Sequence, residues 1–119
     1  MTSNSSKYIG IIGLGYWGKN LLRNLSELSV LHTACDTNPN TITQRKQEYP
    51  PARFTTHVED IMNNKEITAV VISAPAVLHY QLVKQALKAG KDVFVEKPLA
   101  LHVKEGQGLV KLAQTKKKI

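Results

Sequence analysis

The sequence holds a single cysteine, Cys35, so no disulfide can close within the chain, and its apolar neighbours mark a buried, inert thiol rather than a nucleophile. No run of 18 or more apolar residues occurs, which excludes a helical membrane span of ordinary length, and the start MTSNSSK is too polar for a signal peptide. The expected location is therefore cytoplasmic. Acid is scarce against base: 9 Asp and Glu face 16 Lys and Arg, a net charge of +7 that favours an anionic partner. Nucleic acid is the weaker choice of anion. Three of the lysines are the terminal run Lys116, Lys117, Lys118, and the rest are spread over helices without interleaved aromatics. Metal-ligand spacing is lacking too, since His32, His57 and His102 stand apart. At 119 residues there is room for one core and none for a second domain. A single domain is expected over 1–119, with a polar tail at 1–6 and a basic tail at 116–119.

What is present is a regular alternation. Residues 7–12 form a short apolar run ending at a glycine turn, as a buried strand does. Trp17, Leu21, Leu25 and Leu28 then recur at steps of 4, 4 and 3, with Leu22 alongside, the stripe of a helix lying on a sheet. Residues 30–36 read as a second strand. Asn38-Pro39-Asn40-Thr41 supplies turn and capping chemistry for a helix over 41–48, which Pro50 and Pro51 stop. Residues 53–55 are a weak third strand and 58–63 a short helix. The continuous hydrophobicity of 67–73 implies a fourth strand covered on both faces. Leu78, Leu82, Val83, Ala86 and Leu87 are helix-spaced, and Gly90 stands where a helix would end. Residues 92–96 give a fifth strand, and 103–115 a last helix with Val103, Gly106, Val110 and Ala113 on one face. Such an alternation predicts an α/β, doubly wound parallel sheet of the Rossmann type, in strand order 3-2-1-4-5.

The most specific motif is Gly13-Leu14-Gly15-Tyr16-Trp17-Gly18, placed between the first strand and the first helix. In a dinucleotide-binding turn Gly13 permits the tight bend, Gly15 lets the backbone approach a pyrophosphate, and Gly18 lets helix and strand lie close. The helix N-terminus then offers N–H groups and a positive dipole end to the phosphates, with Tyr16 and Trp17 in the same turn. Asp36 lies 18 residues beyond Gly18, at the end of the second strand. A carboxylate there suits the adenosine ribose hydroxyls and repels a 2′-phosphate, so NAD is expected over NADP; the competing reading is a turn or cap residue. Ser73-Ala74-Pro75 ends the fourth strand and would flank the cofactor. His79 either reaches toward a cofactor ribose or is a surface helix residue. Glu96-Lys97-Pro98 ends the fifth strand, where an ammonium can stabilise an alkoxide or relay its proton; a plain strand-end lysine is the alternative.

Taken together, the glycine turn with Trp17, Asp36, the pair Pro75 and His79, and Glu96-Lys97-Pro98-Leu99-Ala100 resemble the Gfo/Idh/MocA oxidoreductases over nearly the whole chain. The stretch GLGYWGKNLLRNLSEL further resembles members that oxidise nucleotide-linked sugars. The resemblance implies NAD as cofactor, a sugar, cyclitol or nucleotide-sugar hydroxyl as substrate, and Lys97 as the residue that positions substrate and assists proton transfer. It also implies a sixth strand and an α/β substrate domain carrying a catalytic aspartate and histidine, which have no counterpart in these 119 residues. The expectation is thus cofactor binding with little or no turnover, with a non-catalytic NAD-binding or assembly module as the alternative. Without a sixth strand, Val93, Phe94 and Val95 form an open sheet edge, from which self-association is expected.

Overall fold

A computed structural model describes residues 7–15, 17–48, 53–96 and 100–119. Its elements run β1 (Ile9–Ile12), α1 (Gly18–Glu27), β2 (Leu31–Cys35), α2 (Pro39–Glu48), β3 (Arg53–Thr55), α3 (Glu59–Met62), β4 (Ala69–Ile72), α4 (His79–Lys88), β5 (Asp92–Val95) and α5 (Val103–Lys116), with a 3₁₀ turn at Ala76–Leu78 before α4. The strands form one parallel sheet in the order β3-β2-β1-β4-β5. This is the expected doubly wound α/β arrangement. Because side chains alternate along a strand, each strand feeds two cores. Ile11, Ala34 and Val71 meet Leu22 and Ile42 of α1 and α2 on one face. On the other, Ile12, Cys35, Val70 and Ile72 meet Ile61, Val83, Leu87 and Leu109 of α3, α4 and α5.

The helices depart from expectation in which residues they bury. Trp17 precedes α1 and is 52% exposed, and Leu28 follows it at 69%, so the ends of the expected stripe face outward. Leu22 is the fully buried residue, with Leu21 and Leu25 packed beside it. In α5 the expected face is wrong at two of its four positions: Val103 and Val110 are exposed, and Leu109 is buried with Leu112 and Ala113 against α4 and β5. Two stripes of helical spacing coexist on α5, and packing selects the one that carries two leucines. Helix α2 begins before the expected 41, with Pro39 in its first position, where its missing N–H is not needed. Asn38 caps it, its Oδ1 accepting the Asn40 N–H at 2.9 Å. Pro50 and Pro51 lie outside the described residues.

Two features fix the sheet at β5. Lys91, 4% exposed, donates from Nζ to the carbonyls of Asn64 and Ile67, tying the start of β5 to the loop before β4. The edge expected to be open carries Ile119, since the Val93 N–H donates to the Ile119 carbonyl at 2.8 Å. Ile119 in turn donates its N–H to Asp92 Oδ1 at 3.1 Å. Among the described residues no helix is long and apolar enough to cross a membrane, and no group of His, Cys, Asp and Glu could hold a metal ion.

Candidate functional site

Parallel strands deliver all their carboxyl ends to one sheet edge, and the chemistry-bearing residues follow directly: Gly13 after β1, Asp36 after β2, Ser73 after β4 and Glu96 after β5. In a doubly wound sheet this edge, where the winding reverses between β1 and β4, is where ligands bind.

The glycine turn is built by contact. Gly13 has φ +99°, and a Cβ there would come within 2.6 Å of the Ser73 backbone. A Cβ on Gly18 would sit 2.0 Å from the Gly13 carbonyl oxygen, so α1 can start only where residue 18 has no side chain. Around Gly15 the space is open, with nothing within 4 Å of a Cβ position. Helix α1 has no side-chain cap and no acidic residue in its first turn, leaving the positive end of its dipole uncompensated by its own sequence. This combination fits a pyrophosphate, which needs backbone donors, room and no acidic side chain in the first turn of the helix.

Asp36 does two things at once. Its Oδ1 accepts the Asn38 N–H at 2.9 Å, the turn role, while Oδ2 accepts the Leu14 N–H at 2.9 Å and so reaches into the glycine turn. Behind it the Cys35 thiol is fully buried and its pKa pushed up to about 12, first by burial and then by the negative charges of Asp36, Asp60 and Glu59. Burial and the raised pKa both disfavour the thiolate.

On the far side of the crevice, Ser73 Oγ donates to Glu96 Oε1 at 3.0 Å, joining the ends of β4 and β5. His79 is 2% exposed, which overturns the surface-helix alternative. Its Nε2 lies 2.8 Å from the Ala74 carbonyl, so the imidazole braces the Ser73-Ala74-Pro75 segment from behind. Trp17 stands exposed at the mouth of the turn. Tyr16, Lys97, Pro98 and Leu99 lie outside the described residues.

One residue of the site escaped the sequence reading. Arg45 of α2, 8% exposed, donates from Nε to the Leu14 carbonyl at 3.0 Å and from Nη1 to Glu48 Oε1 at 3.2 Å. The available signal was its place three residues after Ile42, hence on the inward face of α2.

Residues 7–119 match the Gfo/Idh/MocA family, described as an oxidoreductase family with an NAD-binding Rossmann fold. The inositol 2-dehydrogenase/D-chiro-inositol 3-dehydrogenase of Lactiplantibacillus plantarum is 33% identical over 107 residues, covering 86% of this chain and 30% of that protein. The scyllo-inositol 2-dehydrogenase (NADP(+)) IolW of Bacillus subtilis is 28% identical over 108 residues, covering 91% and 30%. Among solved structures, the UDP-N-acetylglucosamine 3-dehydrogenase GnnA of Acidithiobacillus ferrooxidans has a TM-score of 0.86 at 25% identity, over 94% of this chain and 35% of its own. GenD2 from gentamicin A biosynthesis, in complex with NAD, has a TM-score of 0.87 at 24% identity, over 95% and 33%, and attests the fold alone. The chain spans about a third of the length of these proteins.

Proposed function

Because the chain belongs to the Gfo/Idh/MocA oxidoreductase family and carries its NAD-binding Rossmann fold, we propose that it is the cofactor-binding part of a dehydrogenase acting on a sugar or cyclitol hydroxyl. The observation that carries this reading is the contact between Asp36 and the glycine turn, which puts a carboxylate and the open space at Gly15 on one sheet edge. A bound NAD would supply the acceptor for the hydride that leaves the hydroxyl-bearing carbon. The protein's own groups bind and orient. Gly13, Gly15 and Gly18 with Tyr16 and Trp17 receive the pyrophosphate, and Asp36 accepts the adenosine ribose hydroxyls and repels a 2′-phosphate. NAD is therefore preferred, in contrast to the relative named for NADP(+). Ser73, Pro75 and Glu96 wall the nicotinamide side, and His79 supports that wall from behind through Ala74.

Lys97, the residue after Glu96, is the catalytic group of this chain in the proposal: its ammonium holds the substrate hydroxyl and relays its proton. One structural neighbour is named as a UDP-N-acetylglucosamine 3-dehydrogenase and another dehydrogenase is in complex with NADH and UDP-GlcNAcA; both support that substrate class. Substrate recognition and full turnover require residues beyond these 119, so the chain alone binds cofactor without useful turnover. Its setting is cytoplasmic, and it self-associates through the part of the β5 edge that Ile119 leaves uncovered, where Phe94 stays exposed.

Trp17 is the only tryptophan and stands beside the turn, so its emission reports on the site. Titration with NAD should give a saturable change in emission, with NADP needing higher concentration. No saturable change with either dinucleotide would overturn the proposal, as would rapid NAD reduction by the chain with an inositol or UDP-sugar for the claim that further residues are needed.

A further inference from the structure

Leu14 is held on three sides. Its side chain is 0% exposed in the core beneath α1 and α2, its N–H is taken by Asp36 Oδ2 at 2.9 Å, and its carbonyl by Arg45 Nε at 3.0 Å. The peptide between Leu14 and Gly15 is planar, and in a trans peptide the carbonyl and the following N–H point in opposite directions. Drawing the Leu14 carbonyl inward to a buried guanidinium therefore turns the Gly15 N–H away from that guanidinium, at a residue whose Cβ position has nothing within 4 Å. We propose that Arg45 is a positioning residue that aims the Gly15 N–H at the pyrophosphate of the dinucleotide.

Arginine suits this task because it stays charged at any working pH and holds an acceptor along a fixed direction. Glu48, bound to Nη1 at 3.2 Å, keeps the fork from rotating away from the turn. Asp36 and Arg45 thus divide the work: one carboxylate serves the ribose, and one guanidinium, acting through a single peptide plane, serves the phosphates.

This inference rests on the dinucleotide reading above, and adenosine against ADP separates the two. Adenosine probes the ribose contact alone, and ADP adds the pyrophosphate. Arg45→Met, which removes the donor and fills the space, should weaken ADP by about tenfold or more, the worth of a hydrogen bond made by a charged group. It should leave adenosine within about twofold. Arg45→Lys, which restores a cation without the fork, should recover part of the ADP affinity. If Arg45→Met does not fold by circular dichroism, the ADP-to-adenosine ratio of Arg45→Lys decides, and it should fall below that of the parent. Equal losses for both ligands, or an ADP affinity unchanged in a folded variant, would overturn the positioning role. Failure of the parent chain to bind either ADP or NAD would overturn the dinucleotide reading itself.

Discussion

Asp36 Oδ2 and the Leu14 N–H are joined at 2.9 Å, so the acid that ends β2 holds the turn that ends β1. A carboxylate has about four acceptor positions, and Leu14 and Asn38 supply one donor to each oxygen. Further lone pairs on each oxygen can receive ribose hydroxyls. The cap reading and the ribose reading are therefore compatible. Replacing Asp36 with alanine should cost stability even without cofactor, by about 1–3 kcal/mol, since a half-buried N–H loses a charged partner. Urea unfolding of the cofactor-free chain measures this; an unchanged midpoint would mean that the Leu14 contact contributes nothing.

The glycines of the turn should divide by role. Gly18→Ala places a methyl 2.0 Å from a backbone oxygen and should destabilise by about 3 kcal/mol. Gly15→Ala meets no atom, so its stability should hold within about 1 kcal/mol, while NAD affinity falls because the methyl occupies the approach to the pyrophosphate. Thermal unfolding with NAD titration of both variants distinguishes the two. Loss of stability in Gly15→Ala with affinity retained would invert the assignment.

Much of this was legible from sequence because the relevant forces are local. A turn that needs positive φ at residue 13 and no side chain at residue 18 can be read from glycines alone, and β4 announces its two-sided burial by continuous apolar residues. The failures are at long-range choices. Spacing alone could not decide between the Val103, Val110 stripe and the Leu109, Leu112 stripe of α5, because the choice belongs to α4 and β5. Arg45 was missed for a similar reason. Its place three residues after Ile42 puts it on the inward face of α2, but its acceptor lies 31 residues away and no local pattern names it.

Lys91 predicts a specific pH dependence. Burial holds its ammonium below the ordinary pKa of 10.5, so the folded chain gives up that proton before the unfolded chain does. A neutral amine keeps two N–H groups, enough for both the Asn64 and the Ile67 carbonyls. Its contribution is therefore full above 10.5 and is lost as pH falls through the lowered folded value. Urea midpoints of the parent and Lys91→Met should diverge in the parent's favour between that lowered value and 10.5; the Cys35 titration is common to both and cancels. A difference that shrinks with rising pH would refute this.

The β5 edge gives a further test. The Val93 N–H is occupied by the Ile119 carbonyl, so removing residues 117–119 should free it and strengthen association through the strand. Sedimentation velocity over a range of concentrations should show more dimer in the shortened chain than in the parent. Two monomers at the highest concentration would dispose of the edge as an interface.

Asp36 acting with the glycine turn is expected to select NAD over NADP. Titration calorimetry of NAD and NADP against the chain and its Asp36→Ala variant tests it most directly. The parent should bind NAD more tightly than NADP, with the preference lost in the variant; equal binding of the two cofactors by the parent would rule that selectivity out.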